Sequence, residues 1–304
     1  MNALEQLSDS LASAVQLAGE GIVRVEGRRR LPSSGVLWSG GDLVVTAHHT
    51  IERRGDVRVG LPGGDTVEAK VVGRDPATDL AVLRLARASG KPLAAAEADK
   101  VRVGHMALAV GRPGSELQAT LGIISAIEGG WRTPFGGQLD QFIQSDVVMY
   151  PGFSGGALID AWGRLVGMNT SGVLRGVSLA VPTATMARIA KTLVEHGRVR
   201  RGYLGVGVQP ARLAKPHGSS GQTTGLLIAS VEDGSPAEKG GLFLGDVLLT
   251  MAGRPLASME DLLSALAGDV VGQSAALEVM RGGKVSSVQV TIGERPAPVE
   301  EEEE

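Results

Sequence analysis

Between Gly21 and Val181 the apolar positions fall in short, β-branched runs divided by Gly, Pro and Asp: Ile22-Val23-Arg24-Val25, Val44-Val45-Thr46-Ala47, Val57-Arg58-Val59, Ala69-Lys70-Val71-Val72, Leu80-Ala81-Val82-Leu83 and Met106-Ala107-Leu108-Ala109-Val110. Regular spacing of such runs without intervening helices predicts a mainly β body, and the length of the stretch suits two six-stranded barrels. The period then changes. Met186 to His196 reads as a helix, with Gly197 as its stop. A second β-rich unit follows, with strands expected over 203–208, 226–231, 246–251, 276–280 and 285–292. Its helix over Ser258–Leu266 has a serine cap and an acid three residues on, close to a capping box. At the start of the chain Leu4, Leu7, Leu11, Val15 and Ala18 share one helical face, which either packs on the body or meets a neighbouring subunit. The expected organisation is an amphipathic helix over 1–20, a double β-barrel over 21–200, a smaller β domain over 201–293 and a disordered acidic tail over 294–304.

Composition narrows the chemistry. The 304 residues include no cysteine, which removes disulfides and thiol catalysis, and the formal net charge of −3 gives no reason to expect nucleic acid. Arg28-Arg29-Arg30, beside Leu31-Pro32, reads as a solvated loop. No segment reaches the ~20 apolar residues that span a bilayer. The first residues carry an acid and no base before Arg24, so the chain reads as cytoplasmic, or as periplasmic or cell-envelope if an export segment lies outside it. No Gly-x-x-x-x-Gly-Lys-Ser/Thr motif occurs, so ATP use is not expected. Neither is a metal or other cofactor; His48-His49 has no Cys or acidic motif beside it.

Three segments carry candidate reactivity. In Pro151-Gly152-Phe153-Ser154-Gly155-Gly156 a serine stands among glycines that leave main-chain amides free to face a substrate. Val44-Val45-Thr46-Ala47-His48-His49 ends an apolar run in histidine, and Asp79 opens the run Leu80-Ala81-Val82-Leu83. Serine is a weak nucleophile without a base, imidazole can be that base near neutral pH, and a buried carboxylate fixes its tautomer. The order His, Asp, Ser matches chymotrypsin-like double β-barrel proteases.

These segments, together with Ser34-Gly35-Val36, Gly122-Ile123-Ile124-Ser125, Ile143-Gln144-Ser145-Asp146, Val177-Ser178-Leu179-Ala180-Val181-Pro182 and Arg201-Gly202-Tyr203-Leu204-Gly205-Val206, resemble the HtrA/Deg serine proteases from about Gly21 to Ile292. The resemblance implies a chymotrypsin-like double β-barrel followed by a PDZ domain, a β-sandwich with short helices. It implies an endopeptidase acting on unfolded polypeptides, commonly a homotrimer, with a PDZ domain that binds peptide C-termini.

Carried over residue by residue, the Thr-x-x-His pattern puts the base at His49 and leaves His48 as a partly exposed neighbour. Asp79 is the orienting carboxylate and Asp75 a turn residue. Ser154 is the nucleophile, in an oxyanion segment of Gly152, Phe153 and Ser154 whose donors are the amides of Gly152 and Ser154. The family usually has Asn where this chain has Phe153, and a phenyl ring there is expected to narrow or cover the cleft, which with Tyr150 keeps open a latched, chaperone-like alternative. Val177, Ser178 and Leu179 are expected to form an edge strand that pairs with substrate, beside a pocket for small or branched aliphatic residues. Asp146 lies near that pocket or serves as a structural acceptor. In the PDZ domain Tyr203, Leu204, Gly205 and Val206 form the carboxylate-binding loop, Leu262, Leu263 and Leu266 line the groove or belong to the core, and 215–224 is a mobile loop.

Overall fold

Alternation along each strand sends one set of side chains into a barrel and the other set outward, and in strands such as Leu43–Ala47, Ala157–Asp160 and Leu165–Thr170 both sets are buried. The computed structural model describes residues 2–52, 56–218, 221–267 and 270–294, and the chain divides into two units after Val199. Six strands close the first barrel in the order β1-β2-β3-β6-β5-β4: β1 Ile22–Glu26, β2 Ser33–Trp38, β3 Leu43–Ala47, β4 Val57–Gly60, β5 Thr66–Asp75 and β6 Leu80–Leu85. Val23, Val25, Val44, Val57, Val59 and Leu83 fill its interior.

The second barrel runs β11-β14-β13-β12-β7-β8, from β7 Met106–Gly111, β8 Gln118–Glu128, β11 Phe142–Ser145, β12 Ala157–Asp160, β13 Leu165–Thr170 and β14 Ser178–Pro182, with β9 Trp131–Arg132 and β10 Gln138–Leu139 as a small separate hairpin. Ala107, Ala109, Ile124, Leu158 and Phe153 lie in its core. The intervening positions, Val45 and Ala47 of β3, Leu108 and Val110 of β7 and Ala157 and Ile159 of β12, join a third cluster that bonds the barrels to each other. This is why the runs at β3 and β6 are nearly unbroken in apolar residues rather than alternating.

Two helices seal that cluster. In α2, Thr183–His196, Met186, Ile189 and Leu193 are buried, and Gly197 ends the helix with φ 73°. In α1, Ala3–Gly19, Asn2 and Glu5 form a capping box. Only the second half of its apolar face is covered: Ala14 and Ala18 are buried and Leu11 and Val15 pack on the core, while Leu4 and Leu7 are exposed.

The second unit is a sheet ordered β16-β17-β18-β20-β21, with β16 Val206–His217, β17 Gln222–Val231, β18 Val247–Met251, β20 Ser274–Arg281 and β21 Lys284–Thr291. The short β19 Arg254–Pro255 pairs with β18, and β15 Gly202–Tyr203 pairs with β22 Gly293–Glu294. Helices α3 Pro236–Lys239 and α4 Met259–Ala265 complete it, α4 capped by Ser258 and Asp261 as the sequence predicts. The stretch 215–224 is mostly the end of the β16–β17 hairpin, where His217 pairs with Gln222, rather than a free loop; Ser219 and Ser220 lie outside the described residues. So does the expected acidic tail from residue 295 on.

Asp246, almost wholly buried, ties the end of this sheet together. Burial opposes its charge, but Arg281 donates from Nε and Nη2 at 2.7 Å each and Phe243 N–H donates at 2.9 Å, so its pKa falls below its ordinary value. A depressed carboxylate pKa stabilises the fold at neutral pH, and that contribution is lost as pH falls through the folded-state value. Asp246→Asn is expected to weaken hydrogen-exchange protection of 247–251 and 274–281 at pH 7, with the gap to the parent closing as the pH drops below the carboxylate range.

Candidate active site

Antiparallel pairing of β3 with β6 sets Ala47 opposite Leu80, which brings the residues after β3 beside the residue before β6. His48 N–H donates to Asp79 O at 3.0 Å. Asp79 takes a left-handed φ of 56°, a conformation aspartate tolerates better than most residues. Its buried carboxylate turns back on His49: Oδ1 accepts the His49 main-chain N–H at 2.9 Å and Oδ2 lies 2.8 Å from Nδ1. An ionised carboxylate only accepts, so Nδ1 carries a proton, and the neutral ring in this pairing is the tautomer with its lone pair on Nε2. Asp75, expected as a turn residue, is instead the last residue of β5, paired with Leu80, and accepts from the Thr78 hydroxyl at 2.6 Å.

His48 is half-buried. Its Nδ1 is enclosed with no hydrogen-bond partner among the described residues. Burial lowers its pKa, against the opposing pull of Asp79, and so favours the neutral ring.

Ser154 arrives from the second barrel on a turn with Pro151 in second place and Gly152, φ 90°, in third; Phe153 N–H donates to Tyr150 O at 3.0 Å. This is a type II turn, for which glycine at the third position is the natural residue. The Phe153 amide is therefore spent within the turn and is no oxyanion donor. Those of Gly152 and Ser154 have no acceptor among the described residues. The Phe153 ring does not cover the cleft either: it is fully buried in the second barrel's core, with Tyr150 edge-on at 5.8 Å. The apolar core draws the ring inward and so anchors the turn.

The residues that gather these groups are Thr170, Ser171 and Gly172 at the end of β13, which sequence reasoning passed over. The Thr170 hydroxyl donates to Asp79 Oδ2, and Ser171 Oγ lies 3.1 Å from Ser154 Oγ. A Cβ on Gly172 would fall 2.5 Å from His49 Nδ1 and 2.9 Å from Asp79 Oδ2. Their signal was a polar Asn-Thr-Ser-Gly cluster closing the apolar run Leu165–Met168. The expected edge strand is corrected accordingly. Leu179 pairs with Gln144 on one side and Thr170 on the other, so β14 is interior to a closed barrel and its main chain is already committed. Period-2 patterning marks a strand without naming its neighbours. Ser178 caps Val147 O at 2.9 Å, and Val177 is half-buried just before the strand. The exposed chain beside His49 is instead Ser171–Gly172. Asp146 accepts from Ile123 N–H at 2.6 Å, the structural role.

In the second unit Leu204 is buried, Leu204 O accepts from Ala237 N–H at 2.8 Å and Gly205 O from Glu232 N–H at 2.9 Å. The N–H groups of Leu204 and Gly205 have no acceptor among the described residues. The Tyr203 hydroxyl donates to the Glu232 carboxylate. Val206 begins β16, an edge strand that α4 packs beside. Leu262 and Leu266 are core residues, and Leu263 is half-buried.

The fold and this constellation define a trypsin-like peptidase domain joined to a PDZ domain. Residues 33–168 match the trypsin-like peptidase domain family and residues 202–292 the PDZ domain family. The chain belongs to the HtrA family of serine proteases. It is 34% identical over 282 residues to a probable periplasmic serine endoprotease, DegP-like, of Chlamydia muridarum, covering 90% of this chain and 56% of that protein, and 35% identical over 271 residues to the DegP-like protein of Pseudomonas putida, covering 86% and 56%. It thus spans little more than half the length of these relatives. Among solved structures, the HtrA-type protease AlgW with a decapeptide aligns at TM-score 0.77 and 30% identity over 95% of this chain and 99% of that one, and a serine endoprotease from Yersinia pestis at 0.77 and 30% over 94% and 98%. No helix among the described residues is long and apolar enough to cross a membrane.

Because a side chain at Gly172 must displace the imidazole or the carboxylate, Gly172→Ala is expected to cut peptidase turnover at least tenfold while leaving the thermal midpoint near the parent's. Turnover on a chromogenic peptide beside a melting curve checks this.

Proposed function

We propose that the chain is an ATP-independent serine endopeptidase of unfolded or misfolded polypeptides, with Ser154 as nucleophile, His49 as general base, Asp79 as its orienting carboxylate and the Gly152 and Ser154 amides as oxyanion donors. The observation that carries this reading is the single tripeptide Thr170-Ser171-Gly172 that touches Asp79, Ser154 and His49. Rotation of the Ser154 hydroxyl from Ser171 to Nε2 lets the imidazole take its proton as Oγ attacks a peptide carbonyl. Asp79 stabilises the resulting imidazolium, the two amides receive the oxyanion, and the imidazolium returns the proton to the leaving amine. Water then hydrolyses the acyl-enzyme by the same proton path. Each oxyanion donor contributes roughly 10²–10³ in rate. The exposed Ser171–Gly172 segment suits an extended substrate, which favours unfolded chain over folded surface.

The second reading is a latched, peptide-binding scaffold, favoured by the resting Ser154–Ser171 pairing. A fluorophosphonate divides the two, since only an assembled triad is labelled quickly. Ser154→Ala is expected to abolish casein cleavage with the fold intact. His49→Ala should be as damaging, because such residues act as a unit, whereas His48→Ala should keep most activity; the reverse ranking of the two histidines would overturn the assignment.

The PDZ unit is proposed to bind peptide C-termini at Tyr203–Val206, where the free amides of Leu204 and Gly205 suit a carboxylate, and the peptide would add along β16. Binding there is proposed to regulate cleavage. Relatives named as periplasmic support a place in the cell envelope over the cytoplasm, and family resemblance supports a homotrimer. A peptide with an apolar C-terminal residue should bind and change the cleavage rate, while its amidated form should bind at least tenfold more weakly because the charge-assisted hydrogen bonds are lost. Calorimetry showing equal affinities would remove this role.

A further inference from the structure

Arg112 stands one residue beyond β7 and is 6% exposed. Among the described residues its guanidinium bonds only to main-chain carbonyls: Nε to Ile22 O at 2.9 Å, Nη1 to Ser115 O at 2.8 Å and Nη2 to Gly19 O at 3.2 Å. Gly19 is the last residue of α1, whose C-terminal end carries partial negative charge, and Ile22 opens β1. Burial draws the guanidinium's pKa down, with Glu116 opposing through space. A buried cation with no carboxylate bonded to it is an expensive way to fill a core, and its planar fork is suited to holding three strands of backbone at once.

The same residue reaches the nucleophile turn through its own backbone. Arg112 N–H donates to Ser34 Oγ at 2.8 Å, and Ser34 Oγ donates to Gly152 O at 2.8 Å. A hydroxyl has one proton, so these directions are fixed. Ser34 N–H also donates to Ser154 O at 3.2 Å. The carbonyls of Gly152 and Ser154, on either side of Phe153, are thus held by Ser34, and Ser34 is held by the Arg112 main chain. A Cβ on Gly111 would lie 2.8 Å from Ser34 Oγ and 3.1 Å from Phe153 Cδ1, so the three segments are in close contact here.

We propose that Arg112 is a positioning residue for the oxyanion site: by clipping the β7–β8 connection to the end of α1 and the start of β1, it sets Ser34, and through Ser34 the Gly152–Ser154 turn, with both donor amides free. The N-terminal helix is then part of the support for the reacting groups, not only a cover for the core. This rests on the reading of Ser154 as nucleophile and deepens it.

The test uses the full chain with Arg112→Met, Arg112→Lys and Ser34→Ala, measuring kcat and KM on a chromogenic peptide, the rate of fluorophosphonate labelling of Ser154, and the low-field proton resonance of the His49 Nδ1–H. Arg112→Met should lower kcat and labelling tenfold or more with KM within twofold, and the resonance should persist, because the His49–Asp79 bond does not pass through the clip. Arg112→Lys should recover part of the loss. Ser34→Ala should show the same split with the guanidinium in place, and it decides the matter if Arg112→Met does not fold. A folded Arg112→Met or Ser34→Ala with parental kcat overturns the proposal, as does a loss accompanied by disappearance of the resonance. A parent chain that is not labelled at Ser154 instead overturns the reading beneath it.

Discussion

A buried carboxylate has to be satisfied where it lies, and at Asp79 this requirement organises the site. Its oxygens take the His49 main-chain N–H, the Nδ1 proton and the Thr170 hydroxyl. Two donors come from the end of β3 and one from the end of β13, so one side chain cross-links the barrels. Leaving a buried charge without its partners costs several kcal/mol. The same bonds that meet the charge also choose the imidazole tautomer, which makes a structural demand and a chemical one coincide.

The turn that carries Ser154 is held on a different principle. Its main chain is fixed by Ser34 on one side and by Asn169, which accepts Gly155 N–H at 2.9 Å, on the other. Its side-chain anchor is Phe153, sunk in the second barrel. A phenyl ring in that core contributes roughly 3–5 kcal/mol against truncation, and its burial leaves the cleft open. With carbonyls tied and the ring packed, Gly152 and Ser154 keep their amides unspent, an uncommon state for main-chain donors near a protein interior.

The PDZ unit repeats the theme of reserved donors in another setting. Leu204 is pinned by its buried side chain and by its carbonyl, Gly205 by its carbonyl, and the amides of both remain available beside an edge strand. Leu262 and Leu266 belong beneath this edge as core, so the apolar character of any groove here depends on the half-buried Val206, Val208 and Leu263.

The mainly β character, most of the strands and the helices were legible in the chain, because period, turn residues and caps are local properties. His49, Asp79 and Ser154 could be singled out as candidates for the same reason: each borders an apolar run that ends where the fold must turn. What the sequence could not determine was which chain lies beside which. The run 178–182 is a strand, yet closure of the barrel gives it two partners and leaves 171–172 beside the imidazole. Phe153 reads as a lid until the barrel core is seen to receive it, and no local pattern marks Arg112 for burial against Ile22 and Gly19. Partner choice, burial and the direction of a main-chain amide depend on contacts between residues far apart in sequence, and only the folded chain brings those residues together.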